Sequence, residues 1–261
     1  MKLLVLTKSS PFQIKFVNSL LVNGYSITVI VEDGLSFGSN NLFSKWLSRT
    51  RNIKIFLRNF TKVHLYLIKF LQNKLYYSTA RHAENILINN FLHFSPSIET
   101  IYINNINNLD RLESIYSRNY DLAIVFGTRL LTSKTISKLP QTINIHWGIS
   151  PKYRGEGIIS SLAHEGKTGP GLTIHFLDIG IDDGDIIVQG KPNLTKQDNF
   201  YSIGLKLSML AAEIVSELLV QIKSGDKLFG YFCPKTDSAY TSKKMMSEPD
   251  LFINAWKNLK C

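Results

Sequence analysis

The first part of the chain alternates between short apolar runs and a stretch of helical periodicity. Lys2–Thr7 is an apolar run typical of a buried strand, and Ser26–Glu32 is rich in the β-branched residues that strands favour. Between them, Ile14–Val22 repeats its apolar residues at helical spacing and ends at Asn23-Gly24. A strand, a helix and a second strand in this order predict a βαβ unit, which requires a parallel sheet and a right-handed crossover.

The same alternation resumes after residue 110. Helical spacing predicts helices near Asp110–Arg118, Glu156–Glu165 and Asn199–Lys223, and apolar runs predict strands at Asp121–Phe126, Thr142–His146, Leu172–Leu177 and Asp185–Gln189. Strands that alternate with helices favour an α/β fold. We therefore expect a Rossmann-like, doubly wound and mostly parallel sheet in a main domain that covers residues 1–225.

Two segments interrupt this pattern. Residues 41–95 carry aromatic and aliphatic residues at helical spacing among many basic ones, which predicts a helical insertion that either covers the sheet or lies on a membrane surface. Residues 226–261 are polar and irregular, and we expect a small C-terminal extension there. The Gly- and Pro-rich segment Trp147–Gly155 is expected to have no regular structure.

The chain has a net charge of +10, and much of the excess lies between Lys45 and Arg81. This balance favours a phosphorylated small molecule, a nucleic acid or an anionic membrane surface as partner, although a solvated helical face is the commoner explanation. No apolar stretch is long enough to span a membrane, and the N-terminal run is too short for a signal peptide. Cys233 and Cys261 are expected to be free thiols, which together with these features indicates a cytoplasmic protein.

Polar side chains that can carry chemistry follow the predicted strands. Asn144 and His146 are two residues apart in one strand, so their side chains share a face at its carboxyl end, where α/β folds bind ligands. Asp182 follows in a polar turn between two later strands. An amide, an imidazole and a carboxylate on adjacent loops can form a set for general acid–base catalysis.

Spacing alone leaves two other interpretations open. His146 could be a hydrogen-bonded core histidine beside a polar turn, and spacing supports this interpretation equally. A metal site is also compatible with the spacing, because Asp182, Asp183 and Asp185 cluster beside His175 and His146. Aspartates in a tight turn more often serve turn chemistry, so no metal is expected.

Two segments of the chain resemble the folate-dependent formyltransferase family. That family includes glycinamide ribonucleotide formyltransferase, methionyl-tRNA formyltransferase and the sugar-nucleotide N-formyltransferases. The segments are TINIHWGISPKYRGEG and LTIHFLDIGIDDGDIIVQ. The family pattern is Asn-x-His, a Pro- and Gly-bearing loop and a later D-x-G turn, and Asn144, His146 and Asp182 fill those positions. Residues 41–95 do not resemble the purine enzyme.

The resemblance implies transfer of a formyl group from 10-formyltetrahydrofolate to an amine, without a metal. Asn144 and protonated His146 would stabilise the tetrahedral oxyanion, and Asp182 would raise the imidazole pKa or order a water. The folate is then expected beside the strand Asp121–Phe126. Its expected contacts are Phe126, Gly127, Arg129, Leu131, Asp178, Gly180 and Asp182.

The loop after His146 bears on the identity of the amine. Trp147 stands where the purine enzyme often has proline, and the segment after the long helix is short for the nucleic-acid domain of a methionyl-tRNA enzyme. The resemblance therefore favours a nucleotide-linked amino sugar, as in surface polysaccharide or lipopolysaccharide synthesis, with no nucleic-acid partner. The expected acceptor contacts are Ser9, Ser10, Phe12, Lys152, Tyr153, Arg154 and Gly155.

Other functions stay open at this point. They are methionyl-tRNA formyltransferase, a formyltetrahydrofolate hydrolase that passes the formyl group to water, and a non-enzymatic basic module for nucleic acid or a membrane surface. The hydrolase usually carries an N-terminal regulatory domain, whereas we expect this chain to start directly with its first strand. A binding module would show salt-sensitive binding and would tolerate loss of Asn144. A homodimer is a further expectation, because family members of this type are often dimers through C-terminal elements.

Overall fold

The computed structural model describes residues 1–32, 93–155, 157–234, 239–241 and 249–260. Most of the predicted helical insertion over residues 41–95, with its basic residues, lies outside these ranges. Within them, no helix is long and apolar enough to cross a lipid bilayer. Of the two cysteines, Cys233 is a half-buried free thiol and Cys261 lies outside the described residues.

A seven-stranded mixed sheet forms the centre of the fold. The strands of the described residues are β1 (Lys2–Thr7), β2 (Ser26–Glu32), β3 (Glu99–Ile103), β4 (Leu122–Phe126), β5 (Thr142–His146), β6 (Tyr153–Gly155), β7 (Leu172–Phe176), β8 (Ile186–Gly190) and β9 (Ala239–Thr241). The main sheet has the order β3-β2-β1-β4-β5-β7-β8, and β6 and β9 form a separate parallel pair. The five strands β3, β2, β1, β4 and β5 are mutually parallel, whereas β7 is antiparallel to both of its neighbours, β5 and β8. The prediction of a Rossmann-like, mostly parallel α/β sheet is therefore confirmed.

Helices cover the sheet on both sides. They are α1 (Pro11–Leu20), α2 (Leu109–Tyr116), α3 (Ser133–Ile136), α4 (Gly157–Glu165), α5 (Phe200–Lys223) and α6 (Pro249–Lys260). Leu3 and Val5 of β1 join the core that includes residues of α1 and α5, whereas Leu4 and Leu6 join the core that includes residues of α2. Because both faces of β1 are buried, its sequence is a continuous apolar run without alternation.

Three features of the fold differ from the expectations. Strand β3 was not predicted, because it is an edge strand in which Tyr102 is 59% exposed and its apolar signal is weak. The prediction that Trp147–Gly155 has no regular structure is wrong at β6, and the prediction of an irregular C-terminal extension is wrong at α6. Strands β6 and β9 have three residues each, and their pairing over a long sequence separation leaves no local pattern.

The C-terminal helix α6 packs against α4. Ala255 and Leu259 are buried and join the same core as α1 and α5. The amide Nδ2 of Asn258 donates hydrogen bonds to the carbonyl oxygens of Leu162 and Ala163, both at 3.0 Å. These carbonyls lie in the last turn of α4, where a helix has no N–H donors of its own to satisfy them, so α6 stabilises the end of the helix that follows the site loop.

The start of α5 offers a test of helix capping. Asn199 Oδ1 accepts hydrogen bonds from the backbone N–H groups of Tyr201 and Ser202, and Ser202 Oγ accepts from the backbone N–H of Asn199. We expect Asn199→Ala to lower the free energy of unfolding by about 1 kcal/mol, measured by urea denaturation. The exposed Glu213→Ala in the same helix is the control and should change it by less than about 0.5 kcal/mol. Equal losses in both variants would contradict a capping role.

Candidate active site

Two antiparallel neighbours, β5 and β7, bring the polar residues of the site together. Asn144 lies opposite His175 in the ladder, and His146 lies two residues further along β5 on the same face. Asn144 Nδ2 is 3.0 Å from His175 Nε2. His175 Nδ1 is 2.8 Å from the carbonyl oxygen of Phe176, which can only accept. The hydrogen bonds therefore assign the proton to Nδ1, so that Nε2 accepts from the Asn144 amide.

Asp182 completes the set from the turn between β7 and β8. Its Oδ2 accepts the backbone N–H of Gly155 at 2.8 Å and lies 3.3 Å from His146 Nδ1. Its Oδ1 lies 3.4 Å from Asn144 Nδ2. Asp182 has a φ of +50°, in the left-handed region that is unfavourable for a residue with a side chain. The structure thus brings Asn144, His146 and Asp182 together, and the surrounding contacts hold Asp182 in a strained backbone conformation.

Burial controls the ionisation of His146 and Asp182. His146 is 6% exposed, and its Nε2 donates to the carbonyl oxygen of Tyr153 at 2.6 Å. Burial lowers the pKa of His146 below its ordinary 6.5, although Asp182 and the Tyr153 carbonyl act in the opposite direction. Burial acts to raise the pKa of Asp182, but His146, His175 and the Gly155 N–H lower it by more. Asp182 thus raises the imidazole pKa as expected, but burial lowers it by more. The site therefore pairs a neutral imidazole with an ionised carboxylate at neutral pH.

A buried polar network fixes the loop that follows His146. Thr173 Oγ1 donates to the carbonyl oxygen of Gly148 at 2.7 Å and accepts the backbone N–H of Ser150 at 3.0 Å. Gln189 Nε2 donates to the carbonyl oxygen of Ser150 at 2.6 Å. The peptide bond between Ser150 and Pro151 is cis. Strands β7 and β8 therefore hold the loop through side chains next to Asn144, His146 and Asp182.

Gly148 and Tyr153 set how closely the loop approaches the imidazole. A Cβ at Gly148 would collide with the Tyr153 carbonyl oxygen and with His146 Nε2, so only glycine fits there. The Tyr153 ring is buried, and its hydroxyl donates to Glu165 at 2.8 Å. The loop thus folds back so that the Tyr153 carbonyl faces the histidine, while its side chain anchors the loop on α4.

Arg154 links the same loop to the Asp182 turn. Its Nε donates to the carbonyl oxygen of Ile181 at 3.0 Å, its Nη2 lies 3.0 Å from Asp183 Oδ1, and its side chain is 13% exposed. Its neighbour Lys152 forms an ion pair with Glu165. Both were predicted to contact the acceptor, and in this structure the two cations are already paired within the protein. Only displacement of these partners would release them to a ligand.

An aromatic cluster borders the site on the side of α1 and α5. The ring centroid of Trp147 lies 5.3 Å from that of Phe12 and 5.5 Å from that of Phe126, and Phe12 lies 5.3 Å from Tyr201. Such edge-on contacts stabilise aromatic pairs beyond the burial of their area. The indole Nε1 of Trp147 is buried without an acceptor among the described residues. Trp147 therefore shapes the wall next to His146 with an indole N–H that a ligand could satisfy.

The remaining residues predicted for the ligands lie at the rim of this region. Ser9, Asp178 and Gly180 are exposed, and Ser10, Gly127, Arg129, Leu131 and Gly155 are half-buried. Within the described ranges, no group of three or more His, Cys, Asp or Glu side chains is arranged to hold a metal ion. The alternation along β7 predicts which face His175 occupies but not that it lies opposite Asn144 on β5.

Comparison with known proteins links this site to formyl transfer. The formyl transferase family matches the chain over residues 97–219, which include β5, the loop after it and the Asp182 turn. A methionyl-tRNA formyltransferase from Thermodesulfovibrio yellowstonii is 30% identical over 116 residues, which is 44% of this chain and 38% of that protein. The chain thus spans less than half the length of curated relatives that it matches.

Solved structures extend the likeness over the fold. A sugar N-formyltransferase from a Shewanella species has 14% identity and a TM-score of 0.55, and the match covers 98% of this chain and 87% of that one. An N-formyltransferase from Helicobacter canadensis, solved with folinic acid and dTDP-3-aminofucose, has 15% identity and a TM-score of 0.56. That match covers 100% of this chain and 80% of the other chain. The structure is thus a Rossmann-like α/β fold in which residues 97–219 are similar to the formyl transferase family. Asn144, His146 and Asp182 all lie inside the residues that match the formyl transferase family.

The buried imidazole predicts a pH dependence of stability. Because folding lowers the pKa of His146, the unfolded chain takes up a proton below the ordinary pKa of 6.5 while the folded protein does not. We therefore expect the free energy of unfolding to fall as the pH drops from about 7.5 to about 5.5, and His146→Asn to remove part of this slope. The pKa of Asp182 lies below 3.8 and does not contribute in this window.

Urea denaturation across this pH range measures the slope. The exposed His93→Asn is the matched control and should keep the slope of the wild-type protein. A His146→Asn slope equal to that of wild type would show that burial does not suppress protonation of His146.

Proposed function

We propose that this protein transfers the formyl group of 10-formyltetrahydrofolate to the amine of a nucleotide-linked amino sugar. The observation that carries the proposal is the meeting of Asn144, His146 and Asp182 at the carboxyl end of β5. The family match over residues 97–219 supports formyl transfer. The Helicobacter canadensis structure, with its folinic acid and dTDP-3-aminofucose, supports the classes of the two substrates.

Asn144 is suited to stabilise the charge that develops on the formyl oxygen. Attack of a neutral amine on the formyl carbon forms a tetrahedral oxyanion, which needs donors that are already in place. One N–H of the Asn144 amide donates to His175 Nε2 at 3.0 Å, and the contact to Asp182 Oδ1 is longer, at 3.4 Å. The short bond keeps the amide oriented, while the oxyanion can replace the long contact at little cost.

His146 and Asp182 are suited to move a proton. After attack, the amine nitrogen must lose a proton, and the folate nitrogen must gain one as its bond to the formyl carbon breaks. His146 is neutral, and its Nε2 proton is donated to the Tyr153 carbonyl, so Nδ1 can accept the proton, directly or through a water. Asp182 Oδ2, 3.3 Å from Nδ1, would stabilise the imidazolium until the proton passes to the folate nitrogen.

The residues beside β4 fit a flat pterin ring with a polar edge. Leu131 and Leu177 are half-buried and pack against the same core cluster, so they offer apolar surface at the carboxyl edge of the sheet. The segments Gly127–Leu131 and Asp178–Asp182 follow β4 and β7 and can flank the ring with backbone donors and acceptors. When bound there, the folate supplies the activated formyl group.

A second candidate function is that of a methionyl-tRNA formyltransferase, which differs from this proposal in the amine that accepts the formyl group. The sequence relatives favour the tRNA enzyme, but their matches cover 37% to 44% of those proteins. The matches to the two sugar-type structures cover 98% and 100% of this chain, including the part after residue 219. We therefore favour an amino sugar, which would be a building block for a surface polysaccharide made from nucleotide sugars in the cytoplasm.

A formyl-transfer assay tests the proposal directly. The protein is incubated with 10-formyltetrahydrofolate and a panel of dTDP- and UDP-linked amino sugars, charged initiator tRNA, glycinamide ribonucleotide, or water alone, and products are identified by mass spectrometry. We expect an N-formyl product from at least one amino-sugar nucleotide. Transfer to charged tRNA alone would establish the second candidate, and formate release without an acceptor would establish a hydrolase.

Variants of the catalytic set test the assigned roles. We expect Asn144→Ala to lower kcat about 10²- to 10³-fold, the usual cost of one oxyanion donor. His146→Ala should be at least as severe, because it removes the proton carrier. The exposed Asn193→Ala and His93→Ala are matched controls and should keep the wild-type rate. A folded Asn144→Ala variant with wild-type kcat would exclude the oxyanion role.

A further inference from the structure

Glu32 is a buried carboxylate that the proposed chemistry does not use. It is the last residue of β2, and 0% of its side chain is exposed. An ionised carboxylate without water is unfavourable unless it is paired with a cation and hydrogen-bonded. Because β2 and β5 belong to the parallel part of the sheet, Glu32 lies at the same carboxyl edge as His146.

The Glu32 carboxylate binds the loops that follow β3 and β4. Its Oε1 accepts the backbone N–H of Ile106 at 2.9 Å and forms an ion pair with Arg129 Nε. Its Oε2 accepts the backbone N–H of Arg129 at 3.1 Å. Arg129 Nη2 in turn donates to the carbonyl oxygen of Asn104 at 3.0 Å. One carboxylate thus fixes both the side chain and the backbone of Arg129.

The order of the strands gives this contact a consequence for the site. Strand β1 lies between β2 and β4, so the segment after β4 must cross the end of β1 to bring Arg129 to Glu32. The hydroxyl of Thr7, the last residue of β1, donates to the carbonyl oxygen of Phe126 at 2.8 Å, where the crossing begins. The path of the segment Gly127–Leu131 is therefore fixed at its start and at Arg129.

The side chain of Asn107 fixes the same segment just after Arg129. Asn107 Nδ2 donates to the carbonyl oxygen of Leu130 at 3.0 Å, and its Oδ1 accepts the backbone N–H of Thr132 at 2.9 Å. Leu131 lies between these anchors, and neither the Glu32 nor the Asn107 contacts use its peptide N–H or carbonyl. The anchors therefore hold the backbone around Leu131 while leaving its own polar groups to other partners.

We propose that Glu32, acting through Arg129, is a positioning residue that sets the affinity for the formyl donor and leaves the affinity for the amine acceptor unchanged. The inference rests on the proposed function, in which the segment Gly127–Leu131 flanks the pterin. Asn107 acts in the same way from the other side of Leu131. Arg129 is then a structural cation, and its guanidinium group does not itself contact the folate.

Glu32→Gln tests this inference because it keeps the shape of the side chain and removes its charge. The variant leaves the Arg129 guanidinium without a counter-charge, so the segment occupies its binding position in a smaller fraction of molecules. If that fraction falls to about a tenth, the Kd for the donor rises about tenfold. Binding of folinic acid, measured by isothermal titration calorimetry, reports this Kd without turnover. The KM for the amino-sugar nucleotide should stay within about twofold of the wild-type value.

Glu99→Gln is the matched control, because Glu99 at the start of β3 forms an exposed ion pair with Arg118, which follows α2. The side chains of Glu99 and Arg118 are 48% and 44% exposed. It should leave both constants unchanged. If Glu32→Gln does not fold, Arg129→Gln and Asn107→Ala should show the same selective loss of folinic acid binding.

The outcomes separate this inference from the proposed function. Wild-type protein that does not bind folinic acid would overturn both. If the wild-type protein binds folinic acid and Glu32→Gln binds it with the same Kd, only the positioning role is overturned. The same holds if Glu32→Gln weakens the affinities for donor and acceptor equally.

Discussion

The contact of the Asp182 carboxylate with the Gly155 N–H and the His146 imidazole is the constraint on which the site depends. Asp182 lies between β7 and β8, whereas Gly155 lies in the loop after β5, so this contact joins two strand connections. It also holds Asp182 at a φ of +50°, which an isolated turn with this residue would avoid. Because the carboxylate is mostly removed from water, its charge is stabilised only while both loops are in place. The arrangement of His146 and Asp182 and the fold of the loop after β5 therefore form together.

Much of the fold follows from local pattern, because a doubly wound sheet buries its central strands on both faces. The strands β1, β2, β4 and β5 are apolar enough to be located from sequence within one or two residues. Period two places Asn144 and His146 on one face of β5, and that placement needs no long-range information. Spacing alone does not distinguish a functional Asp182 from an aspartate in an ordinary polar turn. The resemblance to the D-x-G turn of the family is what singles Asp182 out.

The rest depends on register and on distant partners. His175 belongs to the site because β7 runs antiparallel to β5 and places it opposite Asn144, and no local pattern encodes that register. The β6–β9 pair and the packing of α6 on α4 likewise depend on contacts between segments far apart in the chain. Arg129 was expected to contact folate because of its place in the family pattern. Its pairing with Glu32 emerges only from the strand order, which carries the segment after β4 over the end of β1.

The two regions proposed to bind the donor and the acceptor are held by separate sets of contacts. Glu32 and Asn107 anchor the segment proposed for the donor, whereas Thr173 and Gln189 anchor the loop after His146. No residue is shared between these two sets, so a change on the acceptor side need not disturb the donor side. The family match over residues 97–219 includes Asn107, Thr173 and Gln189 but not Glu32. The anchors of the loop after His146 therefore lie wholly inside the matched residues. The segment proposed for the donor depends in addition on a carboxylate from β2, outside the match.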